Sequence, residues 1–136
     1  RGQGSEGRGT KKLCENHEGG GNMPKRTEKE KQIAKEERRL KKIFADMDAN
    51  KLEAVQALIA RAAFITVSLQ DLEKELSDCG WTEVYQNGQS QSGLKKSAAA
   101  DVHISLTKNL NAIMKQLLDL VPAAQRKSKL AEMMTR

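Results

Sequence analysis

The sequence predicts an all-α fold: an antiparallel hairpin of two long helices, with a basic helix before it and a small β-hairpin in the connecting loop. Three observations carry this prediction. Apolar residues recur at alternating steps of three and four over two windows, about 51–79 and 98–120. Only four of the 136 residues are Phe, Trp or Tyr, so the core must be aliphatic, which suits helix packing better than a sandwich or barrel. Between the windows lies Asn87-Gly88, the strongest short hairpin signal.

Residues 1–22 hold seven of the ten glycines and one large aliphatic residue, Leu13. They bury too little apolar surface to offset backbone entropy and read as disordered. Their G-x-G-x-x-G at Gly2, Gly4 and Gly7 has no strand before it or helix after it, so it is no nucleotide fingerprint. Met23-Pro24 follows Glu-Gly-Gly-Gly-Asn, and 1–22 read as a leader upstream of a natural start.

The basic helical arm, 23–50, begins at a capping box made by Thr27 and Glu30. Ile33, Leu40, Phe44 and Met47 line one side of it, and the rest is densely charged, with Glu37 and Lys41 spaced for an i,i+4 pair. The pattern breaks at 46–50, where Asn50 and Glu53 signal a second helix start. Along that helix Val55, Leu58, Ala62, Ile65, Leu69, Leu72, Leu76 and Cys79 form a heptad seam. Ile59, Ala60, Ala63, Phe64 and Val67 spill off the seam, so the helix is apolar nearly all round between 52 and 69 and must be buried nearly all round.

Gly80 reads as the helix stop, and Cys79 before it as a small buried hydrophobe. Trp81 then anchors the loop, and Thr82, Val84 and Tyr85 lead into the predicted hairpin. Ser97 caps a second long helix, with Asp101 in its first turn. His103, Leu106, Leu110, Ile113, Leu117 and Leu120 form its seam, His103 as a packing or pairing residue, and Pro122 ends it. The last segment, 123–136, reads as a basic tail with one short, loosely held helix through Leu130, Met133 and Met134.

The net charge of +6 is uneven. Segment 23–46 has nine basic and five acidic residues, 47–80 three and six, and 123–136 four and one. A polyanion therefore suits the two ends and not the centre. Cys14 and Cys79 are too few for a disulfide scaffold and lack zinc spacing, which predicts a reducing compartment. The most apolar window, 52–69, carries Glu53, Gln56 and Arg61 and reads as too interrupted to span a membrane. No nucleophile–base pair, phosphate loop or metal motif is legible, so the reading is non-catalytic, with no cofactor and no metal. The acidic face of Asp71, Glu73, Glu75 and Asp78 has no His or Cys completing a metal motif.

A two-helix hairpin buries one seam per helix and leaves the other apolar residues wet. Self-association is the direct way to cover them. The oligomerisation candidates are Val55, Leu58, Ile59, Ala62, Phe64, Ile65, Leu69, Leu72, Leu76, Leu106, Leu110, Ile113 and Leu117. A carboxylate at Leu58 or Leu110 is predicted to dissolve the assembly.

The runs "EAVQALIARAAFITVSLQDLEKELSDCGW" and "YQNGQSQSGLKKSAAADVHISLTKNLNAIMKQLLDLVPAA" follow one another over most of the chain, about 41–134. In order and spacing they resemble the small terminase subunit of tailed bacteriophages and prophages. The resemblance implies a non-enzymatic ring of about eight or more copies in the cytoplasm of an infected or lysogenic bacterium. It implies binding of double-stranded viral DNA at the start of packaging, and regulation of a large terminase subunit. Many members carry an N-terminal helix-turn-helix, whereas 23–50 has room for one helix only. DNA contact is instead expected through the phosphates, from Lys25, Arg26, Lys29, Lys31, Lys35, Arg38, Arg39 and Lys42. The alternatives are a dimeric helical DNA-binding regulator and a coiled-coil adaptor whose basic arm serves solubility.

Overall fold

The computed structural model describes residues 27–135; 1–26, with the expected leader, Lys25 and Arg26, and 136 lie outside them. The described chain is mostly helical with one two-stranded antiparallel sheet. Its elements are α1 (Glu28–Ile43), α2 (Ala49–Cys79), β1 (Thr82–Asn87), β2 (Gln91–Lys96), α3 (Ala98–Asp119), a 3-10 turn (Ala123–Gln125) and α4 (Arg126–Met134).

Each boundary has a local chemical cause. Thr27 accepts from the Glu30 amide while the Glu30 carboxylate accepts from the Thr27 amide, so the capping box forms as read. The second start lies slightly earlier than the sequence indicated: Asp48, not Asn50, is the cap, and its carboxylate accepts from the Asn50 amide. Gly80 ends α2 at φ 87°, a left-handed conformation that a side chain would strain. Ser97 opens α3 by accepting from the Ala100 amide.

The hairpin sits where Asn-Gly marks it, but with a different turn. Asn87 pairs with Gln91, leaving three residues in the loop rather than two. Within the hairpin Gly88 alone has positive φ, at 75°. A three-residue loop needs only one left-handed position, so Asn87 stays in the strand.

α2 is the central element, with α3 packed along one side and α1 along another. Lys51, at the start of α2, donates to the Leu120 carbonyl beyond the end of α3. Glu73, near the end of α2, meets His103 in the first turns of α3 at 3.3 Å. Trp81 lies edge-on to the same imidazole, 5.3 Å between ring centres. His103 is therefore the pairing residue anticipated, and Trp81 anchors through it while remaining half exposed. The core collects Leu40, Ile43, Phe44, Val55, Ile59, Ala62, Leu117, Val121 and Met133, with Leu58, Leu110, Ile113 and Met114 packed against it.

Between Ala62 and Leu69, α2 is buried at every position except Phe64. The all-round burial read for 52–69 holds only over 62–69, with Leu52, Ala60 and Phe64 exposed, and α1 of the same chain adds cover beyond that of α3. That cover is what the sequence reading had assigned to further copies. An 18-residue window of α2 has a mean hydropathy of 1.5, so by length and composition the helix could cross a membrane, contrary to the reading that its charges interrupt it. Here 44% of that window is buried inside the fold. Cys79 also departs from expectation: it is exposed at the helix end and is no free thiol, so the cysteine count does not argue for a reducing compartment.

The C-terminal helix is not the loose tail expected. Met133 enters the core. Arg39, from α1, donates to the carbonyls of Glu132, Met133 and Thr135. A cation at a helix C-terminus meets both the orphan carbonyls and the negative end of the dipole. Glu36 holds the guanidinium in place at 2.7 Å and raises its pKa above the ordinary value. At the other end of α4, Lys129 donates to the Ile43 carbonyl and the Asp46 carboxylate, which lowers the pKa of Asp46. Arg39→Ala is expected to loosen α4 and to lower stability by about 1–3 kcal/mol, the range for hydrogen bonds from a charged donor. Hydrogen exchange should locate the loss in 126–134. Unchanged protection there would dismiss the clasp.

Candidate nucleic-acid interface

The charged helix α1 sorts its side chains by face. Leu40, Ile43 and Phe44 are buried, with Ile33 half-buried beside them. Lys31, Lys35, Arg38 and Lys42 recur at steps of four, three and four, so they stand one above another on a single stripe. All four are exposed. At 100° per residue the stripe lies roughly opposite the buried face, and Glu36 and Glu37 project more than about 100° away from it. It is about 16 Å long. Lys41, which the sequence reading assigned to a pair with Glu37, borders the stripe; no such ion pair forms among the described residues. Gln70 of α2 completes the shallow depression running along this surface.

The other candidate cations do different work. Lys29 is 3.4 Å from Asp71 and 5.4 Å from the centre of the Phe64 ring, so it ties α1 to α2. Arg39 is spent on α4. Lys31 donates to Glu28 at 2.6 Å while staying at the surface. Arg38 donates its Nε to the Ala34 carbonyl, which leaves its two terminal nitrogens free to face solvent. Of the eight residues predicted to touch phosphates, Lys31, Lys35, Arg38 and Lys42 share one accessible surface, and Lys25 and Arg26 lie outside the described residues.

The oligomerisation candidates separate likewise. Val55, Ile59, Ala62, Ile65, Leu69, Leu76 and Leu117 are buried within one chain, and Leu58, Leu72, Leu106, Leu110 and Ile113 are half-buried. Phe64 alone is exposed, at 53%. Periodicity identified residues that must be covered, and it could not distinguish cover by α1 from cover by a neighbour.

Apolar residues outside the seams form a further exposed set. Trp81, Val84 and Leu94 belong to the hairpin and its approach, Val102 and Ile104 to the first turns of α3, and Leu130 and Met134 to α4. The direct Val84–Leu94 pairing follows from the hairpin register and could have been found from the turn. Among the described residues no group of three or more His, Cys, Asp or Glu could hold a metal ion.

No protein-family model matches the chain, and neither the curated proteins nor the solved structures contain a significant match. The resemblance to small terminases therefore rests on the sequence runs quoted above.

Proposed function

We propose that this chain is a non-catalytic, self-associating DNA-binding subunit that acts as a small terminase does. In this reading the antiparallel α2–α3 hairpin is the assembly unit of a ring of about eight or more copies. The α1 stripe engages phosphates of double-stranded viral DNA, and the assembly hands that DNA to a large terminase subunit inside the bacterial host. The observation that carries the DNA half is the row of Lys31, Lys35, Arg38 and Lys42, all exposed, on the side of α1 away from its apolar contacts. A duplex presents one negative charge per about 1.7 Å of axis, so a row of this length meets several phosphates at once. Its four members are all cations, which fits contact with the phosphate backbone. Many such rows on one assembly would bind one DNA by avidity.

The test is the salt dependence of DNA affinity. Replacing the four stripe residues by alanine together should flatten the slope of log K against log [salt] by about 3.6 for each subunit engaged. Circular dichroism should stay unchanged, because none of the four enters the core. An unaltered slope would move DNA contact off α1.

One observation favours the runner-up, a dimeric helical DNA-binding regulator. So much of the seam is covered within one chain that fewer copies suffice to cover the remainder. A solution mass of two chains at low and high salt would select it over the ring.

A further inference from the structure

Apart from Leu52 and Phe64 on α2, the exposed large apolar residues lie around the hairpin, on the first turns of α3 and on α4. Around the hairpin, Val84 and Leu94 are directly opposed across the strands and are 58% and 71% exposed. At the same end, the last turns of α2 carry Glu75 and Asp78, exposed and in no ion pair among the described residues. Toward the far end, α3 and α4 leave an open groove of about 490 Å³. Met114, Leu118, Leu130 and Met134 line it, with Lys115 and Lys127 in its wall. Arg126 is committed to the carbonyls of Asp119 and Val121, and Asp119 is the one carboxylate in the lining.

We propose that the α3–α4 groove of one copy receives the hairpin end of a second copy, with Val84 and Leu94 entering the groove and Glu75 and Asp78 facing Lys115 and Lys127. The occupant is argued from this chain's own chemistry. Around the hairpin, 71–101 carries Asp71, Glu73, Glu75, Asp78, Glu83 and Asp101 against Lys74, Lys95 and Lys96, and the groove lining carries Lys115, Arg126 and Lys127 against Asp119. The apolar knob lies beside the acidic pole and the apolar groove beside the basic one. Each copy carries both halves, and a single type of contact covers both. The two surfaces are unlike, so the contact is head-to-tail, which generates a ring when the rotation closes and a filament when it does not. This deepens the assembly half of the reading above and does not depend on its DNA contact.

The test is light scattering after size exclusion, at low and high salt, on the full chain. The wild type should exceed two chains. Lys115→Glu with Lys127→Glu should bring the mass down to one chain, and adding Glu75→Lys with Asp78→Lys to that variant should restore it. Leu94→Ser, on an exposed strand position with the charges intact, should lower the mass as well, with unchanged circular dichroism in every case. A charge-reversed variant or a Leu94→Ser variant that keeps the wild-type mass would overturn the groove contact and leave self-association standing. Loss of mass without restoration would overturn the pairing of the two poles. A wild type of two chains would overturn the head-to-tail arrangement, and a wild type of one chain would overturn self-association altogether. The salt slope of DNA binding, measured on the same samples, is a separate readout.

Discussion

Phe44→Ala is expected to cost about 3–5 kcal/mol, the range for removing a fully buried aromatic side chain. Phe44 is 1% exposed and follows the last turn of α1, where its amide donates to the Leu40 carbonyl at 3.1 Å. Its ring belongs to the cluster in which α1, the start of α2, the end of α3 and Met133 of α4 converge. A cavity there cannot collapse by shifting one element, because several elements share it. A domain of this size has only about 5–15 kcal/mol in total, so the change would remove a large share of its stability. The matching control is Phe64→Ala. Phe64 is 53% exposed and touches Lys29 through its ring face, an exposed cation–π contact worth about 0.5–1 kcal/mol. Urea unfolding of both variants at one protein concentration tests the assignment. A larger loss at Phe64 than at Phe44 would mean that the faces of α1 and α2 have been misassigned.

How much of this was legible beforehand can be seen from the same helices. The capping box at Thr27 and Glu30, the Gly80 stop and the Ser97 cap were readable because each depends on residues within four positions of one another. The heptad steps located both long helices for the same reason: a helix face is a local property of the chain. What the pattern could not supply was the identity of the covering surface. Leu40 and Phe44 looked like one stripe of a solvated arm, yet they insert into the face of α2 that seemed to need another copy. Arg39 shows the limit most clearly. In sequence it is one cation in a basic run, indistinguishable from Arg38. Its contacts with 132–135 span more than ninety positions, and only the return of α4 onto α1 turns it from a phosphate candidate into a helix clasp. The four-residue stripe was legible in its spacing, and it stood out once Lys29 and Arg39 were assigned elsewhere. The exposed pair Val84 and Leu94 gives little signal in sequence, since strand alternation over six residues is weak beside two heptad seams.

Leu110→Asp separates cover within the chain from cover between chains. From the heptad seam alone, a carboxylate at this position should release folded single chains from an assembly. The packing leads to a different expectation. Leu110 lies against the core beside Leu40, Ala62, Met114 and Met133. An ionised carboxylate there would face mainly apolar side chains, since Arg39, the cation in the same lining, is already held by Glu36 and the α4 carbonyls, and the protein would lose the leucine packing as well. Each contribution alone amounts to several kcal/mol, so together they approach or exceed the stability of the domain. The variant should therefore lose its cooperative thermal transition and much of its helical circular dichroism, whatever its mass. Leu110→Met, which nearly conserves volume, should cost less than about 1.5 kcal/mol and retain both. A Leu110→Asp chain that stays helical and melts cooperatively as a single copy would reverse the argument. Leu110 would then sit in a contact between copies, and the close packing of α3 on α2 and α4 would have to be a feature of the assembly.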